Sequence, residues 1–325
     1  MQTDMIYDVL DHHHKEAKDW VVVNWNLGNM CNYSCSYCPP ILNNGSFGWQ
    51  DFEVIKKFID SCEAHYAPRK VYFEFTGGEV TLWKDFIKCA QYIKSKGHDI
   101  GFISNASRTI RWWEKNKNNF DHVCLSFHPE SAEANHFLEV VKIMTKVCRT
   151  HVNIMMHTDL DRFNNGVELT KKLVKEAENF SLALQPLVID FGSERFPYTE
   201  EQLSTIDRQW EDFGKHIKYT GDNNFKLYRG SMDMINSKTG ETKNRAAHRF
   251  IADNTNNWEG WKCYSGVEQI VVDFDGTVMI GWCRVGGGLG NMKDPDNIAW
   301  PVDPVICNKS YCHCNFDIMS KKERV

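Results

Sequence analysis

The 325-residue sequence lacks the long apolar run that a membrane-spanning helix requires, because no stretch reaches about 18 apolar residues. Its first residues contain neither the basic nor the apolar segment of an export signal, so we expect a cytoplasmic protein. An excess of basic charge is also missing: 38 basic and 43 acidic side chains give a net charge of -5. A mildly acidic chain does not attract phosphate backbones, so neither nucleic acid nor a membrane is an expected partner.

Internal repeats and low-complexity tracts are absent too, and 42% hydrophobic with 25% charged residues is typical of a globular chain. Cysteine, by contrast, is abundant, with twelve residues. Without an export signal, thiols stay reduced and free to bind metals, which favours metal or redox chemistry over structural disulfides. The cysteines form an amino-terminal group of three, a carboxyl-terminal group of five and four singles: Cys31, Cys35 and Cys38; Cys263, Cys283, Cys307, Cys312 and Cys314; Cys62, Cys89, Cys124 and Cys148.

Six short apolar runs alternate with amphipathic segments, which predicts βα units around a parallel sheet. We expect strands at 21–27, 70–76, 99–104, 121–127, 151–157 and 182–190. Two segments with apolar residues three or four apart predict helices, one from Phe52 to Cys62 and one from Phe137 to Cys148 with Ser131 as its N-cap. Six units fit an open partial barrel, although periodicity alone also fits a doubly wound sheet.

The first expected strand is followed by a loop with the sequence Cys31-Asn-Tyr-Ser-Cys35-Ser-Tyr-Cys38. Thiolates bind iron-sulfur clusters or zinc, and three of them without a nearby fourth leave one metal position open to a non-protein ligand. An open position on a loop at the end of a barrel strand indicates catalysis more than structure. A structural zinc knuckle is the alternative.

Polar groups also follow the next three expected strands. After the second comes Gly77-Gly78-Glu79, where the glycines permit close approach of a ligand to the backbone and the glutamate presents an anion. Short polar or titratable side chains end the third and fourth strands: Ser104 and Asn105, then Ser126 and His128. Such side chains suit a ligand rich in hydroxyl groups.

The cysteine loop, with the aromatic Tyr37 directly before its last cysteine, resembles the motif of the radical S-adenosylmethionine (radical SAM) superfamily. The resemblance implies an α/β fold in which a partial (β/α)6 barrel precedes a small cysteine-rich domain. It also implies that Cys31, Cys35 and Cys38 hold a [4Fe-4S] cluster whose open iron site binds S-adenosylmethionine (SAM). The SAM contacts that it implies are Tyr37, Gly77, Gly78, Glu79, Ser104, Asn105 and Ser126.

The carboxyl-terminal cysteines surround a predicted hairpin, in which Asp275-Gly276 turns between two β-rich runs. The arrangement resembles the SPASM/twitch extension of some radical SAM enzymes and implies a second, auxiliary [4Fe-4S] cluster. We assign four ligands to it and keep the fifth cysteine as a substitute: Cys263, Cys283, Cys312 and Cys314, with Cys307 as the substitute. A structural zinc site formed by the same residues is the alternative. The domains that we expect are an N-terminal extension (1–19), the barrel (20–190), a helical or irregular bridge (191–260) and the twitch-like domain (261–325).

The resemblance implies reductive cleavage of SAM to a 5'-deoxyadenosyl radical, which abstracts a hydrogen atom from a substrate. An auxiliary cluster that takes an electron from the substrate radical would make the net reaction an oxidation. His128, Gln185 and Cys307 are the candidate catalytic residues. If Cys307 or Cys124 is unligated near the pocket and returns a hydrogen atom, the enzyme is an epimerase instead.

Only 30 residues precede Cys31, fewer than the N-terminal peptide-recognition domain that often accompanies peptide-modifying relatives. We therefore expect a small-molecule substrate, such as a sugar or an amino-acid-derived metabolite, and keep a ribosomal peptide as the alternative. The expected reducing partner is a flavodoxin or a ferredoxin. A hypothesis of another class is a non-catalytic iron-sulfur or zinc protein that binds a partner or senses redox state.

Overall fold

A computed structural model describes residues 7–189, 194–220, 230–312 and 314–325 of the chain. Its strands are β1 Val9–His12, β2 Trp20–Gly28, β3 Lys70–Gly77, β4 Asp99–Ser104, β5 His122–Phe127, β6 Arg149–Met156, β7 Phe180–Pro186, β8 Ser231–Ile235, β9 Thr242–Ala246, β10 Lys262–Cys263, β11 Gln269–Val272, β12 Thr277–Met279, β13 Gly288–Asn291, β14 Val305–Ile306 and β15 Lys322–Glu323. Its α-helices are α1 Phe52–Tyr66, α2 Phe86–Ser95, α3 Ile110–Asn116, α4 Ala134–Met144, α5 Leu160–Glu176, α6 Glu200–Asp207, α7 Gln209–Asp212, α8 Ala247–Ala252 and α9 Asn315–Ile318. Within these described ranges, no helix is long and apolar enough to cross a membrane.

The chain divides into two compact units. The first unit comprises Met1–Asn26, Asp51–Phe73 and Leu227–Val325, and the second comprises Leu27–Gln50 and Glu74–Lys226. Strands β2 and β3 run through the boundaries between these segments. The domain boundaries expected from the sequence stay a prediction, and parts of the expected bridge, 191–193 and 221–229, lie outside the described residues.

The second unit contains strands in the order β3-β4-β5-β6-β7, and a helix lies between each strand and the next along the chain. Strand β5 pairs in parallel with β4 and with β6, and β6 pairs in parallel with β7. In this register Ser104 lies opposite Leu125, and Ser126 lies opposite Asn153. Because parallel strands end at the same edge, the polar residues that end β4 and β5 come together there.

The helices of this unit are held by apolar faces that they bury against the strands. Phe102 on β4 is an example, since its ring lies 5.0 Å from that of Phe86 on α2 and 4.6 Å from that of Phe120. All three rings are buried. Edge-on and tilted aromatic packing of this kind adds stabilisation beyond the burial of apolar area, so it fixes the strand whose end carries Ser104.

The first unit contains two groups of strands. One has the order β13-β12-β11-β2-β3, in which β11 is parallel to β2 and antiparallel to β12, as expected for the predicted hairpin. The other has the order β14-β10-β15-β1-β8-β9. Helix α1 packs its apolar stripe within this unit, where the ring of Phe58 lies 5.0 Å from that of Trp25.

The prediction of six strands joined by helices is confirmed, and the strand ends agree to within a few residues. The last strand differs most: it spans Phe180–Pro186 rather than 182–190, and Asp190 lies outside the described residues. The predicted N-cap of α4 is wrong. Glu133, not Ser131, is the cap, because its carboxylate accepts hydrogen bonds from the backbone N–H groups of Asn135 and His136; a carboxylate there also suits the positive end of the helix dipole.

The expected N-terminal extension and bridge contain strands that the sequence pattern does not reveal. Strand β1 pairs with β8 and with β15, and β8 pairs with β9. The polar run Thr-Lys-Asn-Arg-Ala of β9 shows no apolar alternation because it is the last strand of its sheet and is largely exposed. The helical part of the bridge consists of α6, α7 and a short 3-10 turn, and it starts at a complete capping box on Thr199.

Candidate active site

The three thiols of the cysteine loop lie in the second unit and line one cavity of about 390 Å³. Hydrogen bonds within the loop hold its shape. The N–H of Cys38 donates to the carbonyl of Cys35 at 3.1 Å, and the N–H of Tyr33 donates to Sγ of Cys31 at 3.4 Å. Other predicted site residues that line the cavity are Tyr37, Gly77, Gly78, Ser104, Asn105, Ser126, His128 and Gln185. The structure therefore brings together side chains from five separate parts of the sequence.

The loop thiols are neutral at pH 7 in the absence of a metal. Burial raises the pKa of Cys31 and Cys35, and burial together with the neighbouring cysteines raises the pKa of Cys38 to about 11. A metal ion that replaces the protons offsets the cost of burying charged thiolates, because coordinated thiols are deprotonated outright. The donor chemistry thus fits an iron-sulfur cluster or another thiolate-bound metal.

The two glycines after β3 are required by the backbone of the cysteine loop. Gly77 has φ +129°, a conformation that side chains rarely adopt. Gly78 donates its N–H to the carbonyl of Gly28 at 2.8 Å, and a Cβ on it would lie 2.1 Å from the carbonyl oxygen of Met30. The adjacent N–H of Glu79 donates to that same oxygen at 2.7 Å. This turn therefore fixes the segment that leads directly into Cys31.

Glu79 is fully buried and its carboxylate does not line the cavity. One oxygen accepts from the N–H of Thr81 at 3.2 Å, from its hydroxyl at 2.5 Å and from the hydroxyl of Ser104 at 2.9 Å, and the other accepts from the N–H of Asn105 at 2.6 Å. Burial raises its pKa, opposed by these hydrogen bonds. In the part of the chain that the structure describes, no cationic side chain pairs with it. It is a buried acid without a counter-ion.

Asn105 connects the end of β4 to the cysteine loop. Its side-chain amide donates to Oδ1 of Asn32 at 3.0 Å and approaches Sγ of Cys31 at 3.8 Å. A hydrogen bond to a metal-bound sulfur tunes the metal as well as its geometry. The assignment of Ser104, Asn105 and Ser126 to SAM contacts stays a prediction, and all three line the cavity.

Tyr37 and His128 form a stacked pair at the cavity wall. Their rings are 6.0 Å apart with planes 10° from parallel, and a hydrogen bond of 2.8 Å joins the Tyr37 hydroxyl to Nδ1 of His128. Burial lowers the pKa of His128 to about 4, so the ring is neutral at pH 7. A neutral, hydrogen-bonded imidazole is suited to orienting Tyr37 and not to carrying charge.

The other sequence candidates are divided between the cavity wall and its surroundings. Gln185 lines the cavity, whereas Cys124 does not. Asn153, which the sequence analysis missed, lines it and donates its amide to Sγ of Cys124 at 3.3 Å. The alternation of side chains along β6 is the only sequence signal for Asn153, and many polar strand residues share that pattern.

Glu130 is a second residue that the sequence analysis missed, and it anchors the middle of the cysteine loop. Its carboxylate accepts from the N–H of Ser36 at 2.7 Å, from the Ser36 hydroxyl at 2.6 Å, from Nε2 of His157 at 3.1 Å and from Arg162 at 2.9 Å. Burial opposes its ionisation, but the hydrogen bonds from Ser36 and the charge of Arg162 outweigh it and hold the pKa of Glu130 below its usual value. Sequence alone does not connect it with Ser36, 94 positions away.

Replacing Glu130 with alanine is expected to loosen the cysteine loop and to lower the free energy of unfolding by roughly 2 kcal/mol, since hydrogen bonds to a charged group are lost together. Iron retained by the loop should fall in parallel. Denaturant unfolding and iron content of the reconstituted variant measure the two effects. Glu168→Ala is the control, because within the described residues the ion pair of Glu168 is a surface pair with Lys171. Unchanged iron content in Glu130→Ala would refute the anchoring role.

The carboxyl-terminal cysteines gather in the first unit. Four of them, with three charged side chains that the sequence analysis missed, line a second, small cavity: Cys263, Cys283, Cys307 and Cys312, with Lys309, Asp317 and Lys322. Cys314 does not line it; its sulfur accepts the N–H of Asp317 at 3.4 Å and caps α9. Cys307, the expected substitute ligand, thus lines the cavity. Which four of the five cysteines bind a cluster stays a prediction.

Asp317 holds the loop that carries Cys283. Its carboxylate is buried and accepts from the N–H of Cys283 at 2.6 Å, from the N–H of Trp282 at 3.1 Å and from the side-chain amide of Gln269 at 3.2 Å. Burial, with the charge of Asp317, raises the pKa of Cys283 to about 12. Among the residues described, no three His, Cys, Asp or Glu side chains are grouped so as to hold one metal ion. The fit of a cluster at either site therefore rests on the donor chemistry and the shared cavity.

Comparison with known proteins agrees with the motifs. The model of the radical SAM superfamily matches residues 25–158, which contain the cysteine loop and the ends of β3, β4 and β5. No curated protein matches the sequence.

Several solved structures share the fold at low sequence identity. The structure described as native anSMEcpe with bound AdoMet is 16% identical, with 85% of this chain and 78% of that chain covered and a TM-score of 0.50. Streptococcus suis SuiB bound to S-adenosylmethionine is 11% identical, with 87% and 66% covered and a TM-score of 0.54. The anSMEcpe structure with AdoMet and the Kp18Cys peptide is 17% identical, with 85% and 78% covered and a TM-score of 0.51. At these identities the likeness establishes the fold alone.

Proposed function

We propose that this chain, whose residues 25–158 belong to the radical SAM superfamily, is an enzyme that removes a hydrogen atom from a small organic substrate and oxidises it. The bound groups would supply the chemistry, because an electron from a reduced [4Fe-4S] cluster cleaves SAM to methionine and a 5'-deoxyadenosyl radical. The protein's part is to bind, orient and exclude water. The family match over residues 25–158 supports an enzyme, and the substrate and the net oxidation are our proposal.

One observation carries this proposal: a buried acid, for which the described residues provide no cationic partner, lies directly behind a cavity lined by three thiols. Cys31, Cys35 and Cys38 would hold the cluster. Glu79 would attract the ammonium group of the SAM methionine moiety through the turn formed by Gly77 and Gly78, since an arriving cation offsets the cost of burying the carboxylate.

The cavity wall supports a role in shielding a reactive species. Much of it is apolar, with contributions from Leu42, Ile103, Met155, Leu187 and Val188. Apolar side chains exclude water from the reacting atoms. Asn153 and Gln185 are the polar side chains on β6 and β7 that we propose for orienting the substrate.

The size of the cavity supports a small substrate. About 390 Å³ is near the lower end of the roughly 300–1,000 Å³ typical of ligand cavities, and SAM would take part of that space. The second candidate is a peptide that inserts one side chain. Two structures with the same fold favour this candidate, because both contain peptides: anSMEcpe is described with the Kp18Cys peptide and SuiB with its precursor peptide SuiA.

The carboxyl-terminal cysteines would hold an auxiliary [4Fe-4S] cluster that accepts the second electron of the oxidation. We propose Cys263, Cys283 and Cys312 as ligands, with the fourth taken from Cys314 or Cys307. Burial raises the pKa of Cys283, Cys307, Cys312 and Cys314, so these thiols too need a metal to become thiolates. A flavodoxin or a ferredoxin is the proposed electron donor for the first cluster.

The test is formation of 5'-deoxyadenosine by the anaerobically reconstituted protein, with dithionite or SAM omitted in turn. We expect product only when both are present, and more of it when a true substrate is added. Sugars, amino-acid-derived metabolites and short cysteine-containing peptides are compared as stimulants to separate the two substrate classes. A colourless protein that contains zinc and does not bind SAM would contradict the proposal and favour a non-catalytic zinc protein.

Replacing Glu79 with glutamine is expected to weaken SAM binding roughly tenfold, because the neutral amide attracts an ammonium group less than a carboxylate does. Equilibrium dialysis with the reconstituted protein measures the dissociation constant. Glu139→Gln is the matched control, since Glu139 makes only an exposed pair with Lys142. An unchanged dissociation constant in Glu79→Gln with intact iron content would rule out this role of Glu79.

A further inference from the structure

Lys322 is a buried cation in the first unit whose position is fixed by three hydrogen bonds. Its side chain is 1% exposed, and Nζ donates to the backbone carbonyls of Asp317 at 2.8 Å, Ile318 at 3.0 Å and Ser320 at 2.9 Å. The ammonium group also lies 4.9 Å from the centre of the Trp258 ring. All three N–H donors are therefore used, and the charge cannot move to solvent.

Lys322 forms no ion pair in the part of the chain that the structure describes. Across the described ranges, no carboxylate oxygen lies within ion-pair distance of its Nζ, whereas the adjacent Lys321 pairs with Glu323 at 2.6 Å. The carboxylate of Asp317 is directed elsewhere, to the Cys283 loop. Burying an ammonium group without an anion is unfavourable, so a chain that retains one normally places an anion beside it.

The groups that face Lys322 identify that anion. Lys322 lines the same small cavity as Cys263, Cys283, Cys307 and Cys312. It also lies directly opposite Cys263 where β15 pairs with β10. The carboxylate of Asp317 and the ammonium of Lys309 line this cavity too, but the Asp317 carboxylate is bonded to the Cys283 loop. Thiolates bound to a [4Fe-4S] core would leave the whole group with a net negative charge beside the Lys322 ammonium.

We propose that Lys322 is the charge-balancing residue of the carboxyl-terminal cysteine site and raises the reduction potential of the cluster bound there. This inference rests on the auxiliary cluster of the proposed function. Adding an electron makes the cluster more negative, so a fixed cation beside it stabilises the reduced form more than the oxidised form. A raised potential suits a cluster that takes an electron from a substrate radical.

The experiment compares the full-length wild type with Lys322→Met, Lys322→Arg and Lys321→Met after anaerobic reconstitution. Iron is counted, and both clusters are titrated with a redox mediator series followed by electron paramagnetic resonance. The signal that changes when SAM is added belongs to the cysteine loop. We expect Lys322→Met to shift the potential of the other cluster to more negative values and to leave the loop cluster unchanged. Lys322→Arg should stay close to the wild type, and so should Lys321→Met.

Each outcome bears on the proposal. If Lys322→Met cannot retain the carboxyl-terminal cluster but Lys322→Arg can, the charge itself is required, which supports it. Loss of the cluster in both variants, or an unchanged potential in a fully loaded Lys322→Met, overturns it. If the wild type binds about four iron atoms per chain instead of about eight, it has no auxiliary cluster, and this inference is wrong whatever the variants show. Failure of the SAM reaction would appear separately, in the deoxyadenosine assay.

Discussion

Replacing Cys35 with alanine is expected to reduce the SAM-dependent, dithionite-dependent formation of 5'-deoxyadenosine to the level of a protein-free control. Cys35 is the most buried of the three loop thiols, and its carbonyl accepts the N–H of Cys38, so it lies at the centre of the loop. Three cysteines are the minimum that leaves a single open iron site on a four-iron cluster. With two, the cluster is lost or its open site is no longer defined.

Ser34→Ala is the matched control for this experiment. Ser34 lies in the same loop, next to Cys35, and its side chain is exposed. The control should bind as much iron as the wild type and form as much product. Chromatographic measurement of 5'-deoxyadenosine, together with iron content, separates loss of chemistry from loss of the cluster. Product at the wild-type rate from Cys35→Ala would mean that the loop does not carry the radical chemistry.

Replacing Gly78 with alanine is expected to have the largest effect on stability and to disturb the cluster site at the same time. The added Cβ would lie 2.1 Å from the carbonyl oxygen of Met30, which is backbone and cannot rotate away. The same oxygen accepts the N–H of Glu79, so the chain must give up that hydrogen bond or shift the start of the cysteine loop. Overpacking of this kind lowers the free energy of unfolding by about 3 kcal/mol.

Gly48→Ala tests whether the effect belongs to the position or to the loss of glycine. Gly48 is in the same unit, and a Cβ on it would meet no atom within 4 Å. Denaturant unfolding should therefore give nearly the wild-type free energy for Gly48→Ala and a much lower one for Gly78→Ala. Iron content should fall only in the second. Equal stabilities for the two variants would refute the close packing of Gly78 against Met30.

Local sequence patterns determined much of this protein. The strands β2 to β7 follow from β-branched and aromatic runs of limited length, and their prediction is confirmed. The resemblance to the radical SAM superfamily, predicted from the cysteine loop, agrees with the family match over residues 25–158. The barrel fold, predicted from the six βα units and that resemblance, agrees with the fold of the solved structures. These features were readable because each depends on residues that are neighbours in the chain.

The tertiary structure alone decided which distant groups meet. Glu130 holds the cysteine loop from 94 positions away, and Asp317 holds the Cys283 loop from 34 positions away. Strand β1 pairs with strands from the far end of the chain, although its sequence reads as an extension. No local pattern encodes such contacts, because a carboxylate or a lysine is compatible with any exposed surface position. Its role arises only when folding buries it beside particular donors or thiols. Lys322 is the clearest case, because only folding buries its side chain beside the carboxyl-terminal cysteines.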